Sequence, residues 1–115
     1  MDQIRPWLYI GKYRETKDVF LLGYHQIGAM LQLAELVEHT GIISLYLPVE
    51  DGVSLPEPML KEGIDFIKNE KDQGRKIMVS CGAGISRSTT FAIAALKEKN
   101  ATNKHHSSFF LMLLF

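Results

Sequence analysis

KIMVSCGAGISRSTTFAIAALK, residues 76–97, opens on a short apolar run, breaks into small residues around the chain's single cysteine, and continues as an alanine-rich segment. The spacing predicts a buried strand over 76–80, a loop over 81–87 and a helix over 88–99. A strand that enters a helix through such a loop aims several backbone N–H groups and the positive end of the helix dipole at one point. That point attracts an anion. Cys81 ends the strand facing it, and Arg87 follows six positions later. A helix N-terminus and a guanidinium both favour a thiolate over the free thiol, whose ordinary pKa is about 8.5. The arginine can grip two phosphate oxygens and hold them as charge builds, which places phosphorus above sulfur.

The small residues serve this arrangement. Gly82 and Gly84 let the backbone curl inward, and the amides of Gly82, Ala83, Gly84, Ile85, Ser86 and Arg87 become candidate phosphate ligands. Ser86 can brace the loop, and Ser88 can donate to the sulfur once it carries phosphate. Transfer to sulfur leaves an alkoxide or phenoxide that needs a proton, so a general acid is expected elsewhere. Asp51, in PVEDG (48–52), is the candidate, with Glu50 as rival. It follows a predicted strand, and loops at the carboxyl ends of strands gather at one edge of an α/β sheet.

Outward from this loop, residues 7–11, 27–33 and 42–49 read as three more short strands. Residues 15–25 read as a helix weakened by Gly23, and Leu60, Ile64 and Ile67 mark a second helix between Pro56 and Gly74. Alternating strands and helices predict an α/β fold: one domain with a central, mostly parallel sheet flanked by helices. It is expected over 1–99. Residues 100–115 turn from polar to wholly apolar without helical period and form an atypical tail.

Thirteen Lys and Arg against thirteen Asp and Glu leave no overall field for nucleic acid or an anionic membrane. The seven-residue apolar run FFLMLLF is far short of the ~20 residues of a transmembrane helix. One cysteine admits no internal disulfide, so a cytosolic or nuclear setting is expected. His25 and His39 have no partners at metal-ligand spacing, and no metal or other cofactor is expected. Plainer explanations exist for two residues: Cys81 as a small buried hydrophobe, and Asp51 as half of an Asp-Gly turn.

CGAGISRS (81–88) resembles the signature of the cysteine-dependent phosphatases, above all the dual-specificity protein phosphatases. IRPWLYIG (4–11), YLPVEDG (46–52) and GIDFIKNEKDQGRKIMVSC (63–81) extend the resemblance over roughly residues 4–98. It implies hydrolysis of phosphotyrosine and phosphoserine or phosphothreonine in a protein substrate, through a cysteinyl phosphate. Cys81 is then the nucleophile, Arg87 the phosphate-binding arginine, Asp51 the acid and Ser88 the hydroxyl that assists hydrolysis. The chain departs from the pattern in two places. Ser80 stands where the family usually has histidine, and the further helices that usually follow the signature helix are replaced by the tail, as in a truncated or spliced form. The alternatives are a phosphate-binding module without turnover and a poorly folded isoform. The sequence does not indicate an oligomeric state.

Overall fold

The structure is a computed structural model that describes residues 1–49, 56–82 and 86–99. Five strands form one sheet: β1 Asp2–Arg5, β2 Leu8–Lys12, β3 Ile27–Gln32, β4 Ile43–Tyr46 and β5 Lys76–Cys81. Their spatial order is β1-β2-β5-β3-β4, with β1 antiparallel to β2 and every other pair parallel. Helices α1 Val19–Tyr24, α2 Glu57–Asp72 and α3 Ser86–Lys99 accompany the sheet among the described residues. This is the expected α/β architecture.

Side chains of a strand alternate between faces. Ile77, Val79 and Cys81 of β5 join Leu8, Ile10, Ala29, Leu31 and Leu33 in the main core, beneath α2 and α3. Met78 belongs to a smaller cluster on the opposite face with Tyr9, Ile27, Met30 and Leu22 of α1. Both faces are thus covered, as parallel strands require.

The helix α2 presents Leu60, Gly63, Ile64, Ile67 and Glu70 to the interior. Gly74 follows its last turn with φ +82°, a left-handed conformation that glycine adopts without a Cβ penalty. Gly63 sets the distance to α3: a Cβ there would lie 2.4 Å from Cε1 and 2.7 Å from Cδ1 of fully buried Phe91.

Some elements differ from the sequence expectation. In place of one helix over residues 15–25 there is a 3-10 turn, Tyr13–Lys17, followed by α1. The break is Asp18, whose extended backbone (φ −90°, ψ 92°) lets its carboxylate accept from the amide of Leu21 at 3.0 Å. The third expected strand ends at Tyr46, yet Leu47 N still donates to Gln32 O (2.9 Å) and Val49 N to Leu33 O (3.0 Å). Pro48 between them has no amide hydrogen to give. Strand β1 was not expected because DQIR has no apolar alternation. Helix α3 begins at Ser86, two residues earlier than its alanine-rich part suggests.

Gln32 pins an irregular segment to the sheet. It is fully buried, its Nε2 donates to Val37 O (2.8 Å) and Ser44 Oγ (3.1 Å), and its Oε1 accepts from Val37 N (2.7 Å). Among the described residues no helix is long and apolar enough to cross a membrane. The expected tail, 100–115, lies outside the described residues.

Gly63→Ala tests the helix contact. Overpacking against Phe91 costs about 1–3 kcal/mol, and the gain in helix propensity returns up to ~1 kcal/mol. The expected result is a melting temperature lower by several degrees; an unchanged value would mean that Phe91 moves aside freely.

Candidate active site

The site is assembled at the carboxyl edge of the sheet. β5 is central there, with Cys81 paired in register with Lys12 of β2, and Ser80 with both Gly11 of β2 and Gln32 of β3. Past the strand ends, Leu33 N donates to Ser80 O at 2.9 Å and Val49 N to Leu33 O, so the segment after β4 is drawn to the same edge. Cys81 packs with the main core, has no exposed surface and forms no disulfide.

Arg87 lies in the first turn of α3 and points back across this edge. Its Nη1 donates to the carbonyl of Val49, 38 residues earlier in the chain. Its Nη2 stands 3.0 Å from the position a Cβ would take on Gly82. The missing side chain at Gly82 is therefore what admits the guanidinium over the start of the loop. Ser88 follows, fully buried, and among the described residues its Oγ has no hydrogen-bond partner. Leaving a buried hydroxyl unpaired costs about 1–3 kcal/mol, so such a group signals something other than packing.

The structure thus gathers Cys81, Gly82, Arg87 and Ser88 at one edge. Ser86 is the first residue of α3. Ala83, Gly84, Ile85, Asp51 and its rival Glu50 lie outside the described residues. Val49, two residues before Asp51, is buried in the main core. The two described histidines have structural contacts: His25 lies against the rings of Tyr9 and Tyr24, with centroids 5.1 and 5.0 Å apart, and His39 Nε2 donates to Thr16 O at 2.6 Å. Among the described residues no three His, Cys, Asp or Glu come together as a metal site.

Sequence reasoning missed the other wall of the site. An open cavity of about 400 Å³ is lined by Lys12, Tyr13, Arg14 and Gly82. The signal was present, because these residues directly follow a strand and share the edge to which Asp51 was assigned. Glu15 holds their turn in place: Oε1 accepts from Lys12 N at 2.9 Å, and Oε2 pairs with the amino group of Met1.

Residues 8–111 match the catalytic domain of the dual specificity phosphatases. The chain belongs to that family. Dual specificity protein phosphatase 5 of Rattus norvegicus is 35% identical over 99 residues, covering 82% of this chain and 26% of that protein. Dual specificity protein phosphatase 22 of Mus musculus is 34% identical over 97 residues, covering 82% of this chain and 53% of that protein. The chain therefore spans about a quarter to a half of these curated relatives. The crystal structure of DUSP15 aligns with a TM-score of 0.80 at 28% identity, over 96% of this chain and 73% of that one. In this dual specificity phosphatase domain, β5, the loop after it and α3 are the elements that carry the CGAGISRS signature.

Glu15 gives the domain an acid-sensitive contact. Burial pushes its pKa up, but the Met1 amino group and the Lys12 amide outweigh this and hold it below the ordinary 4.5. Its stabilising contribution is therefore complete above that value and is lost as pH falls through the lower, folded-state pKa. Glu15→Gln should be less stable than the parent at pH 7, with the difference shrinking toward pH 3 in chemical unfolding. A constant difference would mean that the carboxylate's charge is not what matters.

Proposed function

We propose that this domain is a protein phosphatase that hydrolyses phosphotyrosine and phosphoserine or phosphothreonine through a cysteinyl phosphate. The observation that carries the reading is Arg87, whose guanidinium reaches from the first turn of α3 over Gly82 to the carbonyl of Val49, beside the strand end that bears Cys81. Membership of the dual specificity phosphatases supports the same chemistry.

In the first step the Cys81 thiolate forms a bond to phosphorus as the bond to the substrate oxygen breaks. Arg87 and the loop amides of residues 82–87 hold the equatorial oxygens, and the Asp51 carboxyl gives its proton to the leaving oxygen. In the second step water attacks phosphorus, the Asp51 carboxylate takes its proton, and sulfur leaves as thiolate with inorganic phosphate as product. Ser88 is assigned to this step, donating its buried hydroxyl, which has no partner among the described residues, to the departing sulfur. The chemistry requires a reduced thiol, which fits a cytosolic or nuclear setting.

A second reading, phosphate binding without turnover, is favoured by Ser80. It is buried between Gly11 and Gln32 in the sheet, where the family resemblance leads one to expect an imidazole next to the thiol.

Turnover of a small aryl phosphate separates the two. The parent should release phosphate and Cys81→Ser should not. Asp51→Ala should slow an alkyl phosphate, which has a poor leaving group, by about 10²–10⁴-fold. Capture of a phosphopeptide by the parent without phosphate release would favour the binding module, and full activity in Cys81→Ser would overturn the thiolate mechanism.

A further inference from the structure

A completely enclosed glutamine must find its hydrogen bonds inside the protein, because a buried amide left unpaired is costly. Gln32, the last residue of β3, meets that demand mainly on one peptide unit of the chain that leaves the strand. Its Oε1 accepts from Val37 N at 2.7 Å, its Nε2 donates to Val37 O at 2.8 Å, and the same Nε2 reaches Ser44 Oγ on β4 at 3.1 Å. A side-chain amide thus gives Val37 the donor and acceptor that a neighbouring strand would offer. The chemistry proposed above makes no use of it.

The next residue connects this clamp to the site. Leu33 lies just past the end of β3 and is fully buried. Its N donates to the carbonyl of Ser80, the residue before the nucleophile, at 2.9 Å, and its O accepts from Val49 N, two residues before the assigned acid, at 3.0 Å. Gln32 O accepts from Leu47 N at 2.9 Å, so two consecutive carbonyls hold the segment after β4. The carbonyl of Val49 then receives Arg87. Ser80, Leu33, Val49 and Arg87 therefore form one line of hydrogen bonds, and its second member is held in place by the clamp beside it.

We propose that Gln32 is a positioning residue: by clamping Val37 it keeps the Leu33 peptide in line with β3, and through Leu33 it sets the distance between the Cys81 strand and the segment that delivers the Asp51 proton. This rests on the phosphatase reading, with Asp51 as its acid, and names what holds the acid-bearing segment to the nucleophile's strand.

The test compares turnover of an alkyl phosphate, whose leaving oxygen needs a proton, with that of an aryl phosphate carrying an electron-withdrawing group, whose leaving oxygen does not. Gln32→Met removes the amide from a side chain of similar length. A misplacement of about 1 Å can cost about 10²-fold, so the alkyl-to-aryl ratio of kcat/KM should fall by about 10- to 100-fold while aryl turnover stays close to the parent's. In Asp51→Ala protein the same substitution should leave the ratio unchanged, because the group it positions is gone. Gln32→Asn, which keeps an amide but withdraws it from Val37 by one methylene, should shift the ratio in the same direction, so the result does not hang on whether the methionine variant folds. Ser44→Ala leaves the Val37 pair intact and should keep the ratio. Gly63→Ala destabilises the α2 and α3 contact instead and should lower the melting temperature with the ratio preserved. A parent-like ratio in either Gln32 variant that unfolds cooperatively, an equal fall in Gly63→Ala, or a fall that persists without Asp51 overturns the inference. No aryl phosphate turnover in the parent overturns the phosphatase reading and this inference with it, whereas parent turnover with a ratio indifferent to Gln32 removes this inference alone.

Discussion

The parallel pairing of β5 with β2 on one side and β3 on the other is the constraint from which the site follows. It leaves β5 without a free edge and buries its residues from Ile77 to Cys81 on both faces. A strand so enclosed cannot slip by one residue, because slippage would exchange Ile77, Val79 and Cys81 for Met78 and Ser80 on the α2 and α3 face. The direction of the thiol is therefore set by the hydrophobic core. The same register brings Lys12, Leu33 and Val49 to the edge where α3 begins.

The second determinant is the approach of α3 to that edge. Glycine at position 63 lets Phe91 lie against the body of α2, and glycine at position 82 lets the Arg87 guanidinium lie over the chain at the end of β5. Both are contacts that the absence of a side chain makes available. The core contact sets where the helix sits, and the loop contact sets where its charge goes.

Much of this was legible in the sequence because strong local signals agreed. The apolar strand, the small-residue loop and the alanine-rich helix of residues 76–99 each point to the same architecture, and the i, i+4, i+7 spacing of Leu60, Ile64 and Ile67 marked the buried face of α2. What escaped depends on tertiary partners. β1 is polar and exists through its pairing with β2. The split of the first helix turns on Asp18 choosing a capping bond over a continued helix. The wall formed by Lys12, Tyr13 and Arg14 has no motif of its own and becomes part of a site only when β2 and β5 lie side by side.

The bond from Arg87 to the Val49 carbonyl has a thermodynamic consequence for any anion that enters. The guanidinium is kept in orientation by a neutral acceptor, so little side-chain freedom remains to be lost when a ligand arrives. If Arg87 binds phosphate as proposed, a dianion that takes Nη1 exchanges with that carbonyl, and a charge-assisted hydrogen bond is roughly twice as strong as one to a neutral partner. Affinity for such a ligand would then report the difference between two bonds, with the Val49 carbonyl released from one of them.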